Sequence, residues 1–201
     1  TNSKASMAFS LKSILNQASY KCNVYSSPSL QSYTERFIFN DQEISEENLI
    51  ELLEDVEKIL GNDNATLFEI FTCAFIKYAE NFKENINIIE AGLFHQFDST
   101  NVFKENTLTL LGVIHSDHYL WLENKSIEGI IHEKTTALLN SNIFINKQVT
   151  EDIRDKIEES LIKNTSNKYY FGKNFNISKS ENGFIQYEDE IGKIILPEPN
   201  I

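Results

Sequence analysis

The sequence predicts an α/β fold with a mainly parallel sheet flanked by helices and a small antiparallel hairpin region near the C-terminus. Short apolar strands alternate with helical segments over most of the chain, which is the order that parallel sheets produce. The last strand patterns have no helix between them, and Asn182-Gly183 and Ile191-Gly192 indicate hairpin turns there. The 201 residues, 41% of them hydrophobic, suffice for one sizeable core, so we expect a single domain over residues 1–201.

The helices are predicted from apolar residues that recur with a period near 3.6 and from capping residues at their ends. Ser45 is a good N-cap for the acidic segment EENLIELLEDVEKIL, and Gly61 is a good terminator. The predicted helices cover residues 5–17, 46–60, 66–82, 125–139 and 151–162.

The strands are predicted from short apolar runs bounded by turn residues. In chain order they are KCNVYSS, RFIF, INIIE, TLTLLGVI, NIFIN, KYYFG, FNIS, GFIQYE and KIILP. Parallel sheets bind ligands at the carboxyl ends of their strands. The loops SPSLQSYTER, AGLFHQFDSTN and HSDHYLWL follow such ends, so we expect the functional residues there.

Composition excludes several classes of function. A net charge of −12 offers no basic surface to neutralise phosphates, so we expect no nucleic-acid partner. The apolar runs are too short to span a membrane. Cys22 and Cys73 are far apart and form no CxxC pattern, which argues against a disulfide framework or a zinc site and favours a cytoplasmic location.

The opening stretch TNSKAS carries the first chemical signal. A lysine two residues before a serine at a loop-to-helix junction is how a phosphate-binding loop ends, but this stretch contains no glycine. It is therefore either a phosphate loop that has lost its glycines or a polar helix start.

A series of motifs decides between these alternatives. The chain contains TNSKAS, SSPSL with TERF, TLFE, EAGLFHQFDSTN, DHYLWL, IIHEKTTAL and LPEP, in that order. The series resembles the folylpolyglutamate synthase/dihydrofolate synthase family of the Mur ligase superfamily, whose pattern runs GTNGKGS, TSPHL, TxFE, EVGLGGRLDATN, DHxxxLG, IAxEKAGI and LPLP. The resemblance covers the whole chain. It implies the family's N-terminal ATPase domain, lacking its first strand and without the C-terminal domain.

Several positions depart from the family pattern. Glycines are replaced by Ser3, Ala5, Phe94, His95 and Thr136, and the histidine of SPHL is replaced by Ser29. Glycine serves where φ is positive or where a backbone approaches a ligand closely. We therefore expect TNSKAS to be a phosphate loop by descent, with its phosphate binding damaged because positions 3 and 5 need glycine geometry.

The resemblance implies a nucleotide site at the start of the chain. Lys4 matches the lysine that neutralises the β- and γ-phosphate oxygens, and Ser6 matches the hydroxyl that ligates Mg²⁺. A solvated lysine and a capping serine are the alternatives. The implied nucleotide-binding residues are Thr1, Asn2, Ser3, Lys4, Ala5 and Ser6.

The resemblance also implies a metal and substrate site. Glu90 matches a Mg²⁺-ligating glutamate, His118 a second-metal histidine, and Lys134 a lysine that reaches the second Mg²⁺ when carbamylated and acts with Lys4 in catalysis. A salt bridge, a core histidine and a surface lysine are the respective alternatives. On the substrate side, the matching residues are Ser27, Pro28, Thr66 and Phe68. Phe68 as plain helix core, and Asp98 and Asn101 as turn-making residues, are alternatives there.

The implied function is an ATP-dependent ligase that adds glutamate to a folate or dihydropteroate substrate through an acyl phosphate, with ATP and Mg²⁺. The alternative is a non-catalytic remnant of such a ligase, from a decaying or split gene. The lost glycines predict weak or no activity for this chain. Its implied partners are ATP, a folate-type small molecule, glutamate and a separate chain carrying the C-terminal domain; otherwise we expect a monomer.

Overall fold

The computed structural model describes residues 3–116, 121–122, 125–179 and 183–197. They fall into two compact units, which divide between Val102 and Phe103. Each unit is described by itself, and the assignment of a single domain to residues 1–201 stays a prediction.

The first unit contains helices α1 to α3 and strands β1 to β4. Its elements are α1 (Lys4–Gln17), β1 (Cys22–Tyr25), a 3₁₀ turn (Tyr33–Arg36), β2 (Phe37–Phe39), β3 (Gln42–Glu43), α2 (Glu46–Leu60), α3 (Leu67–Ala79), a second 3₁₀ turn (Glu80–Phe82) and β4 (Ile86–Ile89). The sheet order is β3-β2-β1-β4. Strands β1 and β4 are parallel, whereas β2 pairs antiparallel with both β1 and β3.

Capping residues set the helix boundaries of this unit. The Asn48 amide donates to the Ser45 hydroxyl at the start of α2, and Gly61 ends the helix with a φ of 60°. Both boundaries of the predicted helix 46–60 are confirmed. The predicted helix 66–82 consists instead of α3 and the 3₁₀ turn that follows it.

One hairpin in the first unit differs from the predicted single strand at RFIF. Asn40 and Asp41 both have positive φ, 50° and 69°, between β2 and β3. Two consecutive left-handed residues form the turn whose twist suits a two-residue hairpin, and Asn and Asp tolerate this conformation better than other non-glycine residues. The chain therefore reverses at once, and β2 and β3 pair antiparallel.

An aromatic cluster forms the core of the first unit. Tyr25 at the end of β1 lies 5.6 Å from Phe37 and 5.3 Å from Phe75, measured between ring centroids. Phe71 packs edge-on against Phe37 at 5.5 Å, and Phe39 stacks on Phe75 at 5.1 Å. Large buried rings at such distances stabilise the fold through burial of apolar area and through favourable ring–ring contacts. They fix α3 against the end of β1, where the loops of the candidate site begin.

The second unit contains two helices and six strands. Its elements are β5 (Leu108–Leu111), α4 (Ile127–Thr135), β6 (Asn142–Ile145), α5 (Glu151–Ser160), β7 (Asn167–Tyr170), β8 (Phe175–Lys179), β9 (Ile185–Asp189) and β10 (Lys193–Leu196). Strands β5, β6 and β7 form a parallel sheet, and β8, β9 and β10 form an antiparallel one. The predicted fold class, including the hairpin region, is confirmed.

The core of the second unit is aliphatic. Its buried residues are Leu111, Ile114, Ile130, Ile131, Ile143, Ile145, Ile157 and Leu161, with Tyr170 at its edge. They come from the parallel strands, from α4 and α5, from the segment after β5 (Ile114) and from the residue that ends α5 (Leu161). Across the described part of the chain, no helix is long and apolar enough to cross a membrane.

Candidate functional site

The start of α1 presents free backbone donors. Ser3 is left-handed, with φ 61° and ψ 12°, and the helix begins at the next residue. The Met7 amide is the first to bond, to the Ser3 carbonyl at 2.9 Å, so the amides of Lys4, Ala5 and Ser6 have no acceptor among the described residues. The first turn carries no acidic side chain. Free amides, the positive end of the helix dipole and the Lys4 ammonium make this end suited to an anion.

The structure narrows the predicted damage to this loop. Ser3 needs the conformation that glycine adopts most easily, as predicted. Ala5 lies inside α1 without a positive φ, so the prediction that position 5 needs glycine geometry is wrong. Phe94, His95 and Thr136, which also replace glycines of the family pattern, have no positive φ either. A β-carbon at a left-handed position costs roughly 1–2 kcal/mol, so strain is concentrated at Ser3.

Opposite effects on stability are expected from glycine at positions 3 and 5. Ser3→Gly relieves the left-handed strain and should raise the free energy of unfolding by about 1 kcal/mol. Ala5→Gly adds backbone freedom inside a helix and should lower the free energy of unfolding by about 0.5–1 kcal/mol. Urea unfolding of the two variants measures both changes. Shifts in the same direction would contradict the assignment of strain to Ser3 alone.

Glu90 brings three elements of the first unit together. It follows β4 directly and is 6% exposed. Its Oε2 accepts a hydrogen bond from the Ser27 amide at 3.1 Å, and its own amide donates to the Tyr25 carbonyl at 2.9 Å. Burial raises the pKa of the Glu90 carboxyl, while the Ser27 hydrogen bond and the charge of Lys4 oppose that rise. Ser27 from the predicted substrate site and Lys4 from the predicted phosphate site therefore both act on Glu90, the predicted metal ligand.

The raised pKa of Glu90 has a consequence for stability. The folded protein binds the proton of the Glu90 carboxyl more tightly than the unfolded chain does. Above the folded pKa, ionised Glu90 therefore lowers the free energy of unfolding. This loss of stability disappears as the pH falls below the ordinary pKa of 4.5. Glu90→Gln should therefore raise the free energy of unfolding at pH 7, with a gain that vanishes near pH 4. Urea titrations at both pH values test this, with Glu51→Gln on the exposed face of α2 as control. An equal gain at both pH values would contradict the effect.

A single carboxylate organises the loop between β1 and β2. Glu35 accepts hydrogen bonds from the amides of Leu30, Gln31 and Ser32, at 2.7–3.0 Å. These bonds lower the pKa of the Glu35 carboxyl. The loop starts at Ser27 and Pro28, which are joined by a cis peptide bond. The sequence interpretation assigned Glu35 no role, although its position three residues after Ser32 is a capping-box signal.

The TLFE motif forms the start of α3. The Glu69 amide donates to the Thr66 hydroxyl at 3.3 Å, and the Glu69 carboxylate accepts from the Thr66 amide at 2.7 Å. This capping box gives Thr66 a structural role at the helix end. Phe68 is partly buried, and its ring stacks on that of Tyr25 with 5.8 Å between centroids. The ring contact supports the helix-core alternative for Phe68, and the substrate role of both residues stays a prediction.

Asp98 closes the loop that follows Glu90. Its Oδ2 accepts from the amides of Gly92 and Leu93 at 3.0 and 3.2 Å, and its Oδ1 accepts from the Thr100 amide at 3.0 Å. The Asn101 amide donates to the Asp98 carbonyl at 2.9 Å. The turn-making role predicted as the alternative for these residues is what the structure shows.

The remaining predicted residues lie outside the first unit or outside the described residues. Thr1, Asn2 and His118 lie outside the described residues, and Lys134 lies in α4 of the second unit. Within the described ranges, no group of three or more His, Cys, Asp or Glu side chains is arranged to hold a metal ion. The assembled part of the predicted site is therefore Lys4, Ser27 and Glu90.

Comparisons with known proteins place this arrangement in a family. No family model matches the chain. A curated dihydrofolate synthase/folylpolyglutamate synthase of Bacillus subtilis is 36% identical over 158 residues, which are 75% of this chain and 36% of that protein. The enzyme of the same name from Escherichia coli is 33% identical over 122 residues, which are 61% of this chain and 29% of that protein. The chain thus spans about a third of the length of these curated relatives.

Solved structures agree with the sequence matches. Escherichia coli FolC in complex with ADP superposes with a TM-score of 0.89 at 27% identity, over 100% of this chain and 48% of that one. A bifunctional folylpolyglutamate synthase/dihydrofolate synthase of Yersinia pestis, complexed with AMPPNP and Mn ion, has a TM-score of 0.87 at 26% identity, with the same coverage. On these grounds, the chain belongs to the folylpolyglutamate synthase/dihydrofolate synthase family.

Proposed function

We propose that the chain is the nucleotide-binding part of an ATP-dependent ligase that adds glutamate to a folate or dihydropteroate substrate. The observation that carries the proposal is the cluster at the start of α1. There the amides of residues 4–6 are free, and the charge of Lys4 acts on the buried carboxylate of Glu90. The ADP and AMPPNP complexes of the relatives suggest that this anion is a nucleoside triphosphate.

The reaction that fits this site has two steps. A carboxylate oxygen of the acceptor attacks the γ-phosphorus of ATP, the bond to the β-phosphate oxygen breaks, and an acyl phosphate and ADP form. The amine of glutamate then attacks the acyl carbon and phosphate leaves, with loss of the amine proton. Phosphoryl transfer depends on alignment and charge stabilisation more than on covalent help. In our proposal Lys4 and the amides of residues 4–6 hold the phosphate oxygens.

A divalent cation fits part of this site. Glu90 Oε2 bonds to Ser27, but Oε1 has no hydrogen-bond partner among the described residues, and a buried carboxylate of this kind suits a hard cation. Ser6 adds an exposed hydroxyl in the first turn of α1. We propose that Glu90 and Ser6 hold one Mg²⁺ and that His118 and a carbamylated Lys134 are ligands of a second Mg²⁺. Each ion would supply neutralisation of phosphate charge.

The acceptor belongs, in this proposal, beside the loop after β1 and the start of α3. Ser27 and Pro28 line its entry next to Glu90, and Thr66 and Phe68 lie on the α3 side. The proposal also includes a cytoplasmic location, a single ATPase domain, and a monomer apart from a separate chain with a C-terminal domain. The contact that supports this place for the acceptor is the hydrogen bond from the Ser27 amide to Glu90.

A second candidate function is a nucleotide-binding remnant without ligase activity. The observation that favours it is Ser3, which holds a left-handed conformation where the family pattern has glycine. A β-carbon there occupies space next to the phosphate site and adds strain. A remnant of this kind would bind the nucleotide at the start of α1 but would not form the acyl phosphate.

An acyl phosphate trap separates the two candidates. The protein is incubated with Mg·ATP, pteroic acid and hydroxylamine, which captures an acyl phosphate as a hydroxamate without requiring glutamate. Calorimetric titration of Mg·ATP measures nucleotide binding in parallel. Hydroxamate formation supports the ligase, whereas Mg·ATP binding without hydroxamate supports the remnant. Failure to bind Mg·ATP at millimolar concentration would overturn both.

A further inference from the structure

The parallel sheet of the second unit exposes part of one face. One row of paired residues belongs to the core that α4 and α5 cover: Leu111, Ile145 and Tyr170. Successive side chains of a strand point to opposite faces of the sheet. The row one residue earlier therefore lies on the other face: Leu110, Phe144 and Tyr169. Leu110 is 39% exposed and the two rings are only partly buried, although parallel sheets are normally covered on both faces.

The antiparallel sheet is apolar on one face and mainly polar on the other. Its registers pair Ile177 with Tyr187 and Tyr187 with Ile194, so these three side chains share a face. With Lys179 and Asp189 at its ends, that face carries these apolar side chains: Phe175, Ile177, Ile185, Tyr187, Ile194 and Leu196. The opposite face carries polar side chains and Ile195. On the apolar face, Ile177, Ile194 and Leu196 are 46–55% exposed.

Phe175 joins the two exposed faces. Its ring centroid lies 6.1 Å from that of Phe144 in the parallel sheet and 6.5 Å from that of Tyr187 in the antiparallel sheet. Phe144 in turn stacks on Tyr169, with 4.5 Å between centroids. The row that contains Phe144 and the apolar face of the antiparallel sheet therefore form one continuous surface, the joined apolar surface. A continuous exposed apolar surface is typical of a site of protein–protein contact.

The length of the relatives indicates what covers this surface. Escherichia coli FolC superposes over 100% of this chain, but this chain accounts for 48% of that structure. A large part of FolC therefore has no counterpart in these 201 residues. Helices are the elements that cover the faces of parallel sheets, and an amphipathic helix presents the apolar stripe that such a face needs.

We infer that the joined apolar surface binds an amphipathic helix from the part of the ligase that has no counterpart in this chain. The inference rests on the proposed function, because a ligase of this family is the protein that such a partner would complete. The contact involves none of the residues proposed for the nucleotide, metal or acceptor sites. Substitutions on the surface can therefore test the contact without altering the proposed chemistry.

The first experiment uses as its probe the C-terminal part of Escherichia coli FolC that follows the region superposed on this chain. Calorimetry measures binding of the probe to the 201-residue protein, to Ile194→Lys and to the control Ile195→Lys, with circular dichroism as a check on folding. Both substitutions make the same change at neighbouring exposed positions of β10, but only Ile194 lies on the joined apolar surface.

Ile194→Lys should weaken binding of the probe about 10- to 100-fold, because it puts a charge into an apolar contact. Ile195→Lys should bind within about threefold of the wild type, because its side chain points to the opposite face. Equal weakening by the two substitutions would overturn the inference, and so would a wild-type protein that does not bind the probe.

A second experiment separates this inference from the proposed function. The acyl phosphate trap with Mg·ATP, pteroic acid and hydroxylamine is repeated in the presence of the probe. Binding of the probe that Ile194→Lys weakens, together with hydroxamate formation, supports both proposals. The same binding without hydroxamate keeps the interaction surface and overturns the ligase activity. Hydroxamate formation without binding of the probe keeps the ligase activity and overturns the interaction surface.

Discussion

Replacing Gly92 with alanine is expected to lower the free energy of unfolding by about 2–4 kcal/mol. A β-carbon at this position would lie 2.7 Å from Phe68 Cε1 and 2.8 Å from Asp98 Oδ2. Neither neighbour can yield easily, because Phe68 is stacked on Tyr25 and the Asp98 carboxylate holds the amides of Gly92 and Leu93. The added methyl group must either displace the ring or break hydrogen bonds to a charged group, and both cost stability.

Gly61→Ala is the matched control for this substitution. Gly61 has a φ of 60° with nothing within 4 Å of an added β-carbon, so the same chemical change tests backbone strain without a steric clash. Its expected cost is about 1–3 kcal/mol from backbone strain, because a φ of 60° with a ψ of −116° is a conformation that residues with a β-carbon rarely adopt. Urea unfolding measures both variants. A cost below about 1 kcal/mol in Gly92→Ala would show that the close contact at Gly92 is relieved by small movements and that Asp98 does not clamp the loop.

A second readout distinguishes local from global damage in Gly92→Ala. Because an added β-carbon at Gly92 would lie against the Phe68 ring, displacement of that ring should alter the near-ultraviolet circular dichroism from the Tyr25–Phe68 pair. Gly61→Ala should leave that signal unchanged, since Gly61 ends α2. The contrast ties the stability loss to the candidate site.

Elements with local chemical signals were predictable from the sequence. Helix α2 begins after the N-cap Ser45 and ends before Gly61, as the capping residues predicted. Strand β4 ends immediately before Glu90, as the motif INIIE indicated. These features depend on side chains within a few residues of each other. The carboxyl end of a buried strand places Glu90 at a sheet edge whatever the rest of the fold does.

Features that depend on tertiary context were not predictable in the same way. The left-handed pair Asn40 and Asp41 creates the β2–β3 hairpin, but Asn-Asp is a weaker hairpin signal than Asn-Gly. The loss of glycine at position 5 looked damaging in the motif, yet a residue inside α1 needs no positive φ.

The prediction of damaged phosphate binding changes accordingly. Ser3 already has the left-handed geometry that orients the amides of residues 4–6, so the loop keeps its donors at a cost in strain. Ser3→Gly should then leave Mg·ATP affinity within about threefold of the wild type, because the variant relieves strain without adding a hydrogen bond. An increase above tenfold would support the view that the lost glycine had displaced the amides.

Lys4→Ala is expected to weaken Mg·ATP binding about 10- to 100-fold, which corresponds to the loss of one charge-assisted interaction of roughly 1.5–3 kcal/mol. Lys4 is half-buried in the first turn of α1, where the amides of residues 4–6 are free, and its charge reaches Glu90. Lys83→Ala is the control, because the exposed Lys83 lies after the 3₁₀ turn that follows α3. It changes the net charge of the protein by the same amount as Lys4→Ala, so it measures the effect of net charge on binding. Calorimetry at fixed ionic strength measures both variants. Equal weakening by the two substitutions would mean that Lys4 contributes only to the long-range field, and the start of α1 would lose its role as the phosphate site.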